Sequence, residues 1–590
     1  MGMEGPEGAA AVGSRERAIP VDGRRRLVDL GGALLLAQAL ATSIERLMAA
    51  RRDKLGFDDA YMFLRYAHNI RHGLGFSWNL DGVHTYGPTS LLWSFCVLLL
   101  SYLPTDPRTQ LLLGSWVCSI AAVIAMAWAV SANAQSGWLR RPLPTLALIA
   151  VPLFASTHFQ GDQFNGMETM LASALCAVFF GLCLLWRAGR AAPALVGGVG
   201  ILLFLARPES GLVTVLLPAL VGRMPGETSG LEEPDSQARP SLRGFLEIYG
   251  VFCAGVLIEL VLCRLYFGTP FPLSVHMKGG DAYRGYADVW YPSLMLIAFL
   301  GVLQLFVAAL VLLCRRRDLL LVLSGLVPAA LVFAYLGTVT QIMGFDSRYY
   351  VPYAPLLVVP TLLVLDRWLA SPPAESEAWP GHTLRNRGVL AASLLMFFFL
   401  FHSQAVQRGF RLLEHGHHVE YDPAQLNIAA TAPLPSYEWQ PMMRAMTDGL
   451  IAPLPSGVTV AATEVGYLGE RASRINIIDL AGLNDTEIAL HGFQMSRFLE
   501  RKPDLIWMPN TSYTYQRGVI FSDPALLAEY DVYADAGNYG IAIRKDSPFR
   551  AAIERQFRIF WAKLYPGYDP ADYLVRSASW SGRASSVRNP

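Results

Sequence analysis

Charge is scarce in this chain: 16% of its 590 residues are Asp, Glu, Lys or Arg, against about a quarter in a soluble domain. With 53% hydrophobic residues and a mean hydropathy of +0.33, that shortage excludes a wholly soluble enzyme. The net charge of +1 leaves no electrostatic case for nucleic acid as a partner, because such binding rests on concentrated Lys and Arg. Cysteine is sparse as well. Cys96, Cys118, Cys176, Cys183, Cys253, Cys263 and Cys314 lie in or beside apolar runs, and none follows residue 314. Their spacing offers neither a metal-type pair nor a disulfide framework, so they read as packing residues. No glycine-rich loop of the kind that cradles a nucleotide is present. Residues 1–23 are polar and Gly/Ala-rich, and the first apolar run lacks a small-x-small cleavage site. That run is expected to stay as a first span rather than leave as a signal peptide.

Long apolar runs are what the chain does have. Twelve segments approach the roughly 20 residues a spanning helix needs: 27–48, 88–103, 109–132, 142–157, 167–186, 191–206, 210–222, 244–267, 291–314, 319–340, 351–369 and 388–402. Lys/Arg asymmetry in the short loops sets their orientation. Arg315, Arg316 and Arg317 mark the cytoplasmic side, joined by Arg187, Arg190, Arg223, Arg239, Arg243, Arg385 and Arg387. Loops 268–290 and 341–350, and everything after 402, then face outward. With the N-terminus inside and the C-terminus outside, the number of crossings is odd. About eleven are expected, so one segment fails to cross, within 88–132 or at the break Arg207-Pro208.

The expected fold is thus a polytopic α-helical membrane protein with a C-terminal α/β domain. It divides into a cytoplasmic tail over 1–26, a transmembrane domain over 27–402 with a first outer loop at 49–87, and a soluble domain over 403–590. In the last, strand-like runs (458–463, 474–479, 504–508, 540–544) alternate with helical stretches such as 547–563.

The first outer loop contains GFDDAYMFLRYAHNIRHGLGFSWN over 56–79. Ala60, Phe63, Leu64, Ala67 and Ile70 recur at helical spacing, with Arg65, His68, Asn69 and His72 opposite. The pattern predicts an amphipathic helix lying in the membrane interface. Asp58 and Asp59 fall in its first turn, where a carboxylate serves either as a cap or as a general base facing a surface cavity. Two adjacent carboxylates repel, which raises the pKa of one of them.

The stretch Asp58 to Trp93, DDAYMFLRYAHNIRHGLGFSWNLDGVHTYGPTSLLW, resembles the signature of bacterial GT-C glycosyltransferases. It is most similar to the group of the mycobacterial terminal arabinofuranosyltransferase. NGMET (165–169), ARPES (206–210), FGTPFPLSVHMKG (267–279), SRYYVPY (347–353) and EVGYLGERASRINIIDLAGLND (464–485) fit in order, so the resemblance covers most of 55–550. It implies a GT-C fold in the bacterial inner membrane, with the site and the terminal domain facing the periplasm. The reaction it implies takes a sugar, arabinofuranose by the nearest group, from a polyprenyl-phosphate donor to a cell-envelope glycan. The mechanism would be an inverting single displacement, with Asp58 as base and Asp59 positioning the acceptor or tuning its neighbour. No nucleotide is needed, and the resemblance leaves a divalent cation open. One departure bears on the acceptor: relatives carry a Glu-containing turn where this chain has Val83-His84-Thr85-Tyr86-Gly87-Pro88.

By the same resemblance Lys278 and Arg348 become partners of the donor phosphate, with His276 as a weaker one. On residue chemistry alone Lys278 is a solvated loop lysine, and Arg348 sits in an aromatic belt with Tyr349, Tyr350 and Tyr353. Glu168 in NGMET caps a helix or serves the site, since a carboxylate at membrane depth is expensive. Arg207 and Glu209 pair across Pro208. His84, Tyr86, Glu168, Tyr349, Asp479 and Asp485 are candidate acceptor contacts, although turn chemistry explains Asn484-Asp485 equally well. Trp507 and Tyr513 would help shape that groove. His415, His417 and His418 lack a carboxylate or Cys at ligand spacing, so no metal site is assigned. The rival readings are a transporter or flippase of lipid-linked glycans, and a non-catalytic glycan-binding assembly protein. A transporter predicts internal symmetry and broken midplane helices, whereas the conspicuous polar groups here lie in outer loops.

Overall fold

A computed structural model describes residues 21–53, 57–224, 241–278, 291–339, 341, 347–370, 433–511 and 513–575. The tail 1–20, the loop 225–240, the run 388–402, the histidines 415, 417 and 418 and the Ser/Arg-rich end lie outside the described residues.

The N-terminal part is a helical bundle: α1 (Val21–Asp53), α2 (Asp58–Arg71), α3 (Leu91–Leu100), α4 (Pro107–Ser131), α5 (Pro142–Ala155), α6 (Thr157–Gln163), α7 (Thr169–Arg187), α8 (Pro193–Ala206), α9 (Gly211–Val221), α10 (Leu242–Phe267), α11 (Leu273–Lys278), α12 (Tyr291–Val302), α13 (Gln304–Leu313), α14 (Leu319–Gly337) and α15 (Pro355–Ala370). Six of these helices are long and apolar enough to cross a membrane: α1, α4, α7, α10, α14 and the run Val351–Trp368. Five shorter apolar helices accompany them. Leu257, Leu262 and Leu265 of α10 stand more than half exposed, an apolar surface suited to lipid rather than water. All seven cysteines are free thiols, so their reading as packing residues needs no disulfide.

The bundle has two unlike ends. At one, Arg141 pairs with Asp29 at 3.4 Å, Arg190 donates to the Ala132 carbonyl, Arg187 donates to the Met224 carbonyl and Arg367 pairs with Asp318 at 3.1 Å. This arginine-rich end gathers the start of α1 and α5 and the finish of α4, α7, α9 and α15. The opposite end carries α2, α3, α11, residues 347–353 and the terminal domain. The segment 88–103 keeps to this second end, because α3 starts with Ser90 against the Leu205 carbonyl and stops with the Ser101 carbonyl against Arg71. By contrast α8 and α9 are two short apolar helices, separated at Arg207-Pro208 as the proline requires.

The terminal domain holds a five-stranded mixed sheet of β1 (Thr459–Ala462), β2 (Asn476–Asp479), β3 (Leu505–Trp507), β4 (Tyr530–Tyr533) and β5 (Ile541–Arg544), in the order β2-β1-β3-β5-β4. The first three are parallel, with Thr459 opposite Asn476 and Val460 opposite Leu505; β5 runs antiparallel to β3 and to β4. Helices α16 (Trp439–Arg444), α17 (Gly466–Arg471), α18 (Thr486–His491), α19 (Met495–Glu500), α20 (Thr514–Ser522), α21 (Pro524–Glu529) and α22 (Arg550–Leu564) cover it. Four of the five strands match the expected runs. The missing one, β4, is an edge strand reading Tyr-Asp-Val-Tyr, whose alternate burial depends on the neighbouring β5.

The expectation for α2 needs correction. It forms over the expected residues, but it does not lie in a membrane interface. Ala60, Phe63, Leu64 and Ala67 pack on Trp93, Val97, Leu111 and Met167 of the bundle, while Tyr66 joins the terminal-domain core with Phe76 and Trp78. Its polar face is a docking surface for protein. Arg65, 1% exposed, donates to the carbonyls of Trp78, Gly469, Ala472 and Ile475 and to the Asn79 side chain.

Candidate functional site

Where α2 meets the terminal domain, adjacent carboxylates point apart. Asp58 is 4% exposed; its Oδ2 accepts from the Gly466 N–H at 2.8 Å and its Oδ1 from the Tyr467 N–H at 2.7 Å. It is a cap, but of α17 rather than of its own helix. The first N–H groups of a helix have no internal partner, so a borrowed carboxylate satisfies them. Seven residues on, Arg65 takes the carbonyls at the other end of α17. The approach is so close that a Cβ on Gly466 would lie 1.8 Å from the Asp58 carbonyl oxygen. Burial, and the charge of Glu464 nearby, push the Asp58 carboxyl up to about 8. This geometry assigns Asp58 to holding the turn before α17.

Asp59 faces the other way. Its Oδ2 pairs with Arg348 Nη2 at 3.1 Å. Arg348 also reaches the Tyr349 hydroxyl at 3.4 Å, and Lys278 Nζ reaches the same hydroxyl at 3.1 Å. The guanidinium groups of Arg207 and Arg348 each lie 5.2 Å from the Tyr349 ring centroid, and the Lys278 ammonium lies 5.6 Å from it. Burial alone would raise the Tyr349 phenol, but Lys278 and Arg348 outweigh burial and hold it below its ordinary value. Arg207 is fixed in turn by Glu209 at 2.9 Å, Glu168 at 3.6 Å and the Arg348 carbonyl at 3.1 Å. Within this packed cluster Arg348 Nη1 is buried and has no hydrogen-bond partner among the described residues. A buried N–H left unmatched costs about 1–3 kcal/mol, so such donors call for an explanation.

Residues from five distant stretches therefore converge: Asp59, Glu168, Arg207 with Glu209, Lys278, and Arg348 with Tyr349. His276 does not join them. It is exposed on α11, with Nε2 3.5 Å from Thr269 Oγ1, because residues two apart on a helix face different ways. His84 stacks on Tyr266 with centroids 4.0 Å apart, and the Tyr86 hydroxyl donates to Glu259 at 3.0 Å. The Tyr86 carbonyl accepts from the Leu273 N–H at 2.8 Å, which anchors the short helix that ends at Lys278.

Asp479 and Asp485 serve the fold. Asp479 is fully buried; it accepts from the N–H groups of Ala481 and Asn484 and from the Asn484 side chain, each at 2.9 Å. Burial pushes its carboxyl up to about 7. Asn484 in turn accepts from the Tyr66 hydroxyl at 3.0 Å. A Cβ on Gly87 would lie within 2.4 Å of that contact, which is why the TYGP stretch needs its glycine. Asp485 caps α18 through the Ile488 N–H and pairs with Arg501 at 2.7 Å. Trp507 is a core residue, its Nε1 bonded to the Gly537 carbonyl at 3.0 Å, and Tyr513 is likewise buried in the terminal-domain core.

One residue escaped the sequence reading. Glu464, 7% exposed, accepts from Trp439 Nε1 at 3.2 Å and from Asn510 Nδ2 at 3.3 Å. Burial raises its pKa, and the Asp59 charge adds to the effect. Its position in EVGY offered no signal beyond the resemblance. Among the described residues, no group of three or more His, Cys, Asp and Glu side chains is arranged to hold a metal ion.

A family model described as a domain of unknown function (DUF8728) matches residues 431–560, within the terminal domain. No curated protein and no solved structure matches the chain.

Proposed function

We propose that this chain is a membrane glycosyltransferase of the GT-C type. It transfers a sugar, with arabinofuranose first to be tested, from a polyprenyl-phosphate donor to a cell-envelope glycan by inverting single displacement. One observation carries the reading: Arg207, Lys278 and Arg348 converge on Tyr349, and one buried Arg348 nitrogen has no hydrogen-bond partner among the described residues. A leaving phosphate gains negative charge in the transition state, and fixed cations with a free donor stabilise it there. The cluster lies beside the first loop, whose Asp59 carboxylate pairs with Arg348.

The arginine-rich end of the bundle supports an orientation in the bacterial inner membrane with this site and the terminal domain in the periplasm. Eleven crossings fit the described helices. Ten traverses are made by α1, α4, α5, α7, α8, α9, α10, the α12–α13 pair, α14 and α15. The eleventh crossing is assigned to the apolar run 388–402, which lies outside the described residues.

The test is a transfer assay on purified protein in nanodiscs, with labelled polyprenyl-phosphoryl arabinofuranose, a short arabinan acceptor and no nucleotide sugar. Product from the wild type, with donor binding weakened in Arg348→Ala and Lys278→Ala, is expected. Absence of donor binding across polyprenyl-phosphate pentoses and hexoses would sink the reading and bring the transporter forward.

A further inference from the structure

The first-loop carboxylates are both occupied. Asp58 holds two backbone N–H groups and Asp59 holds Arg348. A general base needs a free lone pair within reach of the substrate hydroxyl, and a bonded cation weakens it. Glu464 meets these requirements better. Its carboxylate accepts from the neutral donors Trp439 Nε1 and Asn510 Nδ2, and among the described residues no ion pair reaches it. The neighbouring Thr463 side chain donates to it as well; a carboxylate has about four lone-pair sites, so these three neutral donors leave one for an acceptor hydroxyl.

Its place in the fold points the same way. Glu464 follows the carboxyl end of β1, which lies between β2 and β3 in the parallel part of the sheet. In open parallel sheets the crevice beyond the carboxyl ends, where strand order reverses, is where ligands bind. Asn510, three residues past β3, closes that crevice by donating from its backbone N–H to Thr463 Oγ1 at 3.2 Å as well as to Glu464. The ionisable groups facing Glu464 are Asp58 and Asp59 from α2 and the Tyr539 phenol from the terminal domain. Beyond Asp59 stands the unmatched Arg348 Nη1. Two residues after Glu464, the Gly466 N–H is gripped by Asp58, so Asp58 sets the position of this turn.

We propose that Glu464, contributed by the terminal domain, is the general base of the transfer and contacts the acceptor hydroxyl, with Asp58 as its positioning residue. The inference rests on the transferase reading. In the step, the acceptor O–H gives its proton to Glu464 and its oxygen bonds to the anomeric carbon. The bond from that carbon to the phosphate oxygen breaks, and polyprenyl phosphate leaves with the electron pair, held by Arg348 and Lys278.

The test compares wild type, Glu464→Gln, Glu464→Asp, Asp58→Asn and Arg348→Ala as full-length protein in nanodiscs. It uses polyprenyl-phosphoryl arabinofuranose with an arabinan, then the corresponding pentoses and hexoses. Donor Kd, kcat and the pH profile of kcat/KM are read for each. Glu464→Gln is expected to lower kcat by about 100-fold, to leave donor Kd within about twofold, and to abolish the acid limb of the profile. Glu464→Asp, which keeps the charge, should retain that limb at reduced kcat and guards against a misfolded Gln variant. Asp58→Asn should lower kcat with the limb intact. If Glu464→Gln keeps its acid limb and a kcat within about threefold of wild type while Arg348→Ala loses donor binding, Glu464 is not the base and the transferase reading survives. If the wild type binds no donor of the panel, the transferase reading fails and the role of Glu464 falls with it.

Discussion

Arg65 and Arg348 are both buried arginines at the same end of the molecule, and they do opposite things. Arg65 is 1% exposed and Arg348 4%. A guanidinium has five N–H donors, and those of Arg65 all find oxygen: Trp78, Gly469, Ala472, Ile475 and Asn79 supply it. Arg348 spends Nη2 on Asp59 and Tyr349 and leaves Nη1 unmatched among the described residues. Arg65 is a saturated fastener, whereas Arg348 keeps a buried donor that the proposed transferase reading gives to the donor phosphate. Asp58 and Asp59, adjacent in the chain, likewise part company: Asp58 binds backbone N–H groups and Asp59 binds Arg348.

The contrast can be broken most severely at Arg65. Arg65→Ala leaves a ring of buried carbonyls without donors, and removing one side of a buried charge network costs about 3–5 kcal/mol. The expected outcome is a lower thermal transition and faster proteolytic release of the terminal domain. A transition unchanged from the wild type would remove the fastener role. Arg348→Ala should show itself first in activity: transfer falls by about 100-fold, as when a fixed transition-state donor is removed, while the thermal transition, lowered by the loss of the Asp59 pair, falls less than in Arg65→Ala. Equal losses of stability in the two variants would erase the distinction.

Gly466→Ala sharpens the geometry of the seam. Its Cβ would meet the Asp58 carbonyl at 1.8 Å, and backbone cannot yield as a flexible side chain does. Forcing atoms into such a contact costs about 1–3 kcal/mol, to be read as a lower melting temperature.

The smallest expected effect is on pH. Asp58, at about 8, and Asp479 and Glu470, each at about 7, are raised by burial, and Glu464 is raised as well. A carboxyl whose folded pKa lies above its unfolded value binds its proton more tightly when folded. Its contribution to stability is complete below about pH 4 and declines as pH rises towards 7–8. The transition temperature of the full chain should therefore be higher at pH 5 than at pH 8, and Asp479→Asn should flatten that dependence. A slope that Asp479→Asn leaves unchanged would show that the buried seam does not carry it.

Much of this was legible in the residues. Helices α4, α5 and α8 begin at Pro107, Pro142 and Pro193 because proline fits a first turn, and α-helical spacing alone drew α2 from Asp58 to Ile70, one residue short of its end. The terminal strands followed from β-branched runs, except β4, where Tyr-Asp-Val-Tyr gains its order only from β5. The direction of α2's polar face was not legible. Arg65, Asn69 and the histidines read as a water-facing stripe, because periodicity says which residues share a face but not what covers it.

The sequence by itself determined that the chain is built of apolar helices with one α/β domain after them, because hydrophobic period and length are local properties. It also marked Asp59, Lys278, Arg348 and Tyr349 as chemistry worth attention. Only the tertiary structure decided that these meet Arg207 and Glu168 around one phenol ring, that Asp58 turns away to cap α17, and that Glu464 stands beside them. Side-chain direction and partnership across some 400 residues of chain depend on packing, and packing is written in no single stretch of it.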